Sequence, residues 1–301
     1  MAGRAAALAL LLLAGGARAA DGIVVASKID TEGAILGSLI AQTLARAGIK
    51  VTERLQLGPT QIVRSALLEG QIDLYPEYTG NGAFFFHQET DPVWRDAEAG
   101  YGRVAALDRA ANHLVWLTPA PADNSWAIAA SEGLAARLSA PSVEALARYL
   151  ATGGRIRLAA SAEFADNDGG LPAFEAAYGF HLSGDELLVL SGGNTAATIR
   201  AAALGISGVD AAMAYGTDGA LAALNVVPLD DPRHSQPVFA PAPVIGEAAL
   251  RRFPATEALL APIFKTLTLD RLRHLNARVA VDGEEAGAVA RDYLDHLGQG
   301  S

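Results

Sequence analysis

The chain has 301 residues and no cysteine, with 33 acidic against 23 basic side chains for a formal charge of −10. Disulfides and a lipid-modified cysteine are thereby excluded. Nucleic-acid recognition, which needs clustered Lys and Arg to neutralise phosphates, is argued against. With 51% hydrophobic residues, the chain has material for a real core and length for two lobes of ordinary domain size.

The first element is a targeting signal. Met1–Ala19 reads MAGRAAALALLLLAGGARA: one positive charge at Arg4, the apolar run Ala5–Ala14, then Ala17-Arg18-Ala19 as a small-x-small cleavage site. An apolar run of about ten residues is too short for a bilayer, which needs roughly 20. Residues 1–19 are therefore expected to be a signal peptide cleaved after Ala19. Cleavage would remove Arg4 and Arg18 and leave 21 basic against 33 acidic residues. An exported chain with no tether is useful mainly where an outer barrier retains it, so the periplasm is the expected compartment.

Strands and helices then alternate. GIVVAS (residues 22–27) is a β-branched run, and Asp30-Thr31-Glu32 starts a helix with an N-cap residue and an acid in its first turn. Ile35, Leu36, Leu39, Ile40 and Leu44 give that helix an apolar face, and Gly48 ends it. KVTERL is the next strand, Thr60–Glu69 a helix, and IDLY a strand. Further strands are predicted in HLVWLTP, WAIAA, RIRLAAS, ELLVL, DAAMAY, NVVPL and FAPAPVI. Helices are predicted near 172–178, 195–204, 254–267, 269–279 and 284–297. Strands separated by helices imply βαβ units, so the expected fold is α/β, with two mostly parallel-sheet lobes. Pro119 and Pro121 mark one crossing between lobes, and VVPLDDPRHSQP (residues 226–237) a second. The expected division is 21–120 plus 230–301 for the first lobe and 121–229 for the second, hinged over a cleft.

Catalytic signatures are missing. The six histidines are scattered without metal-ligand spacing, and no metal or other cofactor is expected. DNDGG lacks the rest of a calcium loop, GISG is not a nucleophile elbow, and GNGAFF fails the dinucleotide pattern. No enzyme is indicated.

The aromatics carry more information. DLYPEYTGNGAFFF (residues 73–86) gathers two tyrosines and three phenylalanines around turn residues, and Trp126, Tyr215 and Phe239 also stand at strand ends beside turns. Ligands of α/β lobes bind beyond the carboxyl ends of the strands, where Tyr75, Tyr78 and Tyr215 would lie. Converging aromatic faces suit a quaternary ammonium, which cannot hydrogen-bond. For any one of these residues core packing is the commoner fate, and Phe84, Phe85 and Phe86 are assigned to packing under the loop.

SKIDTEGAILGSLIAQTL, LGPTQIVRSALLEGQIDLYPEYTGNGAFFF, LTPAPADNSWAIA and AYGTDG together resemble osmoprotectant-binding proteins of ABC importers, in particular the low-affinity glycine betaine-binding branch. The resemblance spans residues 23–297. It implies a bilobed periplasmic-binding fold of type II that delivers a quaternary ammonium compound, glycine betaine or choline-like, to an ABC permease at the inner membrane. A monomer is expected. Carried over by motif, the aromatic box is Tyr78, Trp126, Tyr215 and Phe239, with Trp126 and Phe239 where relatives usually have tyrosine. Asn124 stands where some relatives have an acid, Asn81 where many have threonine, and Asn167 at the position aligned with a carboxylate-clamping arginine. Replacing that clamp by a neutral hydrogen bond costs on the order of 1–2 kcal/mol, roughly tenfold or more in affinity. Lys28 is the remaining candidate for the ligand carboxylate. The alternatives are a different small solute, or an enzyme or sensor on the same bilobed fold.

Overall fold

The computed structural model describes residues 22–190 and 195–299; the expected signal peptide lies outside the described residues. Among the described residues, ten strands fall into two five-stranded sheets. The first contains β1 (Ile23–Lys28), β2 (Val51–Gly58), β3 (Leu74–Tyr78), β4 (Leu114–Trp116) and β10 (Pro241–Gly246). The second contains β5 (Trp126–Ala130), β6 (Leu158–Ser161), β7 (Leu187–Leu190), β8 (Ala211–Tyr215) and β9 (Val227–Pro228).

The sheets share one plan. Their orders are β2-β1-β3-β10-β4 and β7-β6-β8-β5-β9, so each inserts, at the fourth position, a strand adjoining an inter-sheet connection. That strand is β10 in the first sheet and β5 in the second. Both start at the crossing, so they run against their neighbours: β10 is antiparallel to β3 and β4, and β5 to β8 and β9. The remaining pairings are parallel. Each sheet is thus mixed where mostly parallel pairing is expected, because a chain that crosses twice must re-enter from the cleft side. The ladder reaches past β4 as well, since Leu117 and Ala120 donate backbone hydrogen bonds to Pro243 and Pro241.

Each lobe closes its own core. The helix Thr31–Arg46 is capped by Asp30, whose carboxylate accepts from Gly33 N at 2.7 Å. It buries Ile35, Leu36, Leu39, Ile40 and Leu44 against β1 and the C-terminal helices, with Leu272, Leu275, Val289 and Leu294. In the second lobe Phe164, Phe174, Leu146 and Ile128 occupy the equivalent role.

The lobes also meet along a tight seam. The helix Leu269–Ala280 belongs to the first core through Leu272 and Leu275, yet it packs on the second lobe at Gly219. A Cβ on Gly219 would stand 2.2 Å from Ala277 N, so only glycine allows this approach. Arg273 Nε donates to Gly216 O at 2.7 Å and Asn276 Nδ2 to Thr217 O at 2.8 Å across the same seam.

Candidate functional site

A cleft of about 640 Å³ opens between the lobes at the carboxyl ends of the parallel strands. Its aromatic walls follow from the shared sheet plan. In each lobe the third strand ends, and the inserted strand begins, at the cleft edge. Tyr78 ends β3, and Phe239 lies just before β10, whose Pro241 pairs with Tyr78. Tyr215 ends β8 and Trp126 begins β5, and these two residues are register partners. All four line the cleft. The Trp126 and Tyr215 rings stack with centroids 6.5 Å apart and an interplanar angle of 21°. Phe164 braces Trp126 edge-on at 5.7 Å.

Phe239 is held by the backbone around it. Its N–H donates to Asp123 Oδ1 at 2.9 Å, and its carbonyl accepts from Asn124 N at 3.1 Å. The ring lies so close to Gly80 that a Cβ there would meet it at 2.9 Å. The glycine of Glu-Tyr-Thr-Gly therefore makes room for an aromatic wall from a distant segment.

Polar residues complete the lining. Lys28 reaches the cleft from the end of β1, and its ammonium lies 4.4 Å from the centroid of the Tyr78 ring. Its charge is already engaged by Glu77, which is fully buried; Lys28 itself is 6% exposed. The Glu77 carboxylate also accepts from Tyr75 OH at 2.9 Å, Tyr78 N at 2.7 Å and Asn81 Nδ2 at 2.7 Å. Asn81 thus lines the cleft with its amide nitrogen turned to Glu77. Asn124 lines it too, and its Oδ1 accepts from Thr217 Oγ1 at 2.6 Å.

Seven of the eight residues singled out in the sequence come together here; Asn167 does not. It follows the short helix Ala162–Asp166, is exposed, and its side-chain oxygen accepts from Gly169 N at 2.8 Å in a local turn. Glu163 of that helix lines the cleft instead. Two aromatic assignments also change. Tyr75 is buried in the first lobe with its hydroxyl on Glu77, because strand alternation turns it away from the face that Tyr78 presents. Phe84, 49% exposed, lines the cleft, whereas Phe85 and Phe86 pack beneath as expected. Phe85 is covered by the Arg64 guanidinium at 3.7 Å, which is in turn paired with the buried Asp108.

Sequence reasoning missed Glu32. Its place in the first turn of a helix gives an acid there an ordinary explanation. In the structure Glu32 is 5% exposed, lines the cleft, and accepts from Tyr78 OH at 2.7 Å and Asn276 Nδ2 at 2.6 Å. Burial pushes its pKa up to about 7 against the lowering effect of the Thr217, Tyr78 and Asn276 side chains. Burial likewise raises the Asp218 carboxyl, which accepts from Tyr215 N at 2.7 Å. Asn276, more than 240 residues from Glu32, carries no sequence signal.

Two α/β lobes around a cleft walled by aromatic faces define a solute-binding protein of the bilobed periplasmic-binding type. Residues 21–296 match the family described as the substrate-binding domain of ABC-type glycine betaine transport systems (OpuAC), and the chain belongs to that family. It is 52% identical over 281 residues to the glycine betaine-binding protein YehZ of Escherichia coli strain K12, covering 93% of this chain and 92% of that one. A glycine-betaine-binding protein of Pseudomonas aeruginosa is 33% identical over 94% of this chain and 90% of its own length. The apo structure of YehZ superposes with a TM-score of 0.84, covering 93% of this chain and 99% of that chain. A glycine betaine/carnitine/choline ABC transporter structure, 18% identical, shares the fold with a TM-score of 0.80 over 91% of this chain and 98% of that one. The family is one of transport components, not enzymes, and its fold is the type II arrangement.

Proposed function

We propose that the chain binds a quaternary ammonium compound, glycine betaine or a choline-like cation, between Tyr78 and Phe239 of one lobe and Trp126 and Tyr215 of the other. The single observation that carries this reading is the meeting of those four aromatic side chains, from four separate segments, in one cleft. Each face attracts a cation through its ring quadrupole with about 0.5–2 kcal/mol, and none requires the ligand to donate a hydrogen bond. Because two walls belong to each lobe, a bound cation favours the closed arrangement over the open one. In this reading the first lobe is residues 21–120 plus 230–301 and the second 121–229, as the two passages of the chain between the sheets support.

The carboxylate end of betaine finds weak support here. Lys28 is neutralised by Glu77, and Asn167 lies outside the cleft. Four aromatic contacts less the costs of ordering and closure fall short of the roughly 8 kcal/mol that micromolar affinity needs, so tens of micromolar to millimolar binding is expected. The protein works in the periplasm after export through residues 1–19 and hands its ligand, as a monomer, to an ABC permease. Family membership and the signal-like N-terminal sequence support that setting.

Tryptophan fluorescence offers a test. Trp94 and Trp116 are buried away from the cleft, so a ligand in the box perturbs Trp126. Saturable change on adding glycine betaine or choline, absent in Tyr215→Ala, is expected; no change with either compound would refute the reading.

A further inference from the structure

We propose that Glu32 is the counter-charge of the bound cation, so that ligand affinity depends on its ionisation; this rests on the reading of the cleft as a quaternary ammonium site. Two buried glutamates flank Tyr78, and they are treated differently. Glu77 is fully buried, is not part of the cleft lining, and has Lys28 as its ion partner. Glu32 sits at the cleft wall, and among the described residues no Lys, Arg or His forms an ion pair with it. The side chains that hydrogen-bond it or lower its pKa, Tyr78, Asn276 and Thr217, are neutral. A buried carboxylate without a cation is costly to keep ionised, and the cost falls when a cation arrives beside it. The aromatic walls hold such a cation in the same cleft that Glu32 lines.

The surrounding charges agree. From its own helix start, Asp30 adds a like charge that disfavours ionisation. On β1, Lys28 faces the Tyr78 ring but is held by Glu77. On the helix Leu269–Ala280, Arg273 is directed to Gly216 O. From the second lobe, Asp218 and Glu163 line the cleft and bring further negative charge. Burial is the main cause that raises the Glu32 pKa to about 7, with Asp30 a lesser one.

The hydrogen bonds suit either protonation state. A phenol both donates and accepts, so a protonated Glu32 Oε1 would donate to Tyr78 O at the same spacing while Oε2 still accepts from Asn276. Glutamine satisfies the same pair of contacts, which makes Glu32→Gln a change of charge with little change of shape.

The experiment is calorimetric titration of glycine betaine and choline into wild type and Glu32→Gln from pH 6 to pH 8, in buffers of different protonation enthalpy. For wild type, affinity should rise roughly tenfold across that range, and binding at pH 7 should release about half a proton. Glu32→Gln should bind more weakly, without pH dependence or proton release. Wild-type binding that is flat with pH and releases no proton would overturn the role of Glu32 alone, whether or not the variant folds. Unchanged affinity in the variant would do the same. Failure of wild type to bind either compound at any pH would instead remove the ammonium reading, and this inference with it.

Discussion

Lys28→Met isolates the buried ion pair behind the box. The substitution keeps most of the side-chain volume and removes the ammonium. The Glu77 carboxylate is then left fully buried with three neutral donors, the Tyr75 hydroxyl, the Tyr78 amide and the Asn81 side chain. Removing one member of a buried pair costs about 3–5 kcal/mol, because the other charge stays desolvated. At about 2–4 °C per kcal/mol for a protein of this size class, the melting temperature should fall by roughly 6–20 °C. Lys28→Met/Glu77→Gln, which removes both charges, should recover most of that loss, and a double-mutant cycle followed by calorimetry measures the coupling. If the ammonium serves Glu77 and not the ligand, the double variant keeps the wild-type ratio of betaine to choline affinity. A single variant as stable as wild type would refute the pairing argument. A selective loss of betaine binding in the double variant would show that Lys28 holds the ligand carboxylate after all.

Two further outcomes follow from close packing and from burial. Gly80→Ala places a methyl 2.9 Å from the Phe239 ring and must displace that wall, so affinity should drop about 2- to 30-fold, the range for one cation–π contact, with the fold retained; unchanged affinity would remove Phe239 from the box. The Glu32 pKa is raised from 4.5 to about 7, so the folded state binds more protons than the unfolded state between those values. Ligand-free stability should therefore fall as pH rises from 4.5 to 7, by about 3 kcal/mol in all. Glu32→Gln should lose this slope and be the more stable protein at pH 8, as thermal melts across pH would show; a parallel slope in the variant would place the titration elsewhere.

Much of the fold is legible where apolar periodicity is strong. The helix Thr31–Arg46 is readable from its five aliphatic positions and its Asp30 cap. The sixteen-residue helix Ala97–Asn112 is not, because its buried face is Gly100, Val104 and Asp108, and Asp108 is tolerated there only through Arg64, Asn112 and the Trp116 indole. The mixed pairing of the sheets depends on β5 and β10 re-entering from the crossings, which no local pattern records. In the site, the four aromatics announce themselves by standing at strand ends beside turns. Glu32 does not, since an acid in a helix's first turn is unremarkable until Tyr78 and Asn276 fold onto it. Asn167 shows the opposite error: an aligned position carries no geometry, and its side chain closes a surface turn.

The most direct test of the aromatic box is calorimetric titration of the mature, ligand-stripped protein with glycine betaine and with choline, beside Trp126→Ala. The box predicts saturable binding of at least one compound, weaker for betaine than a carboxylate clamp would give, and lost or strongly reduced when the Trp126 face is removed. Binding of equal strength in Trp126→Ala, or no heat from either compound with a protein shown to be folded, would contradict it.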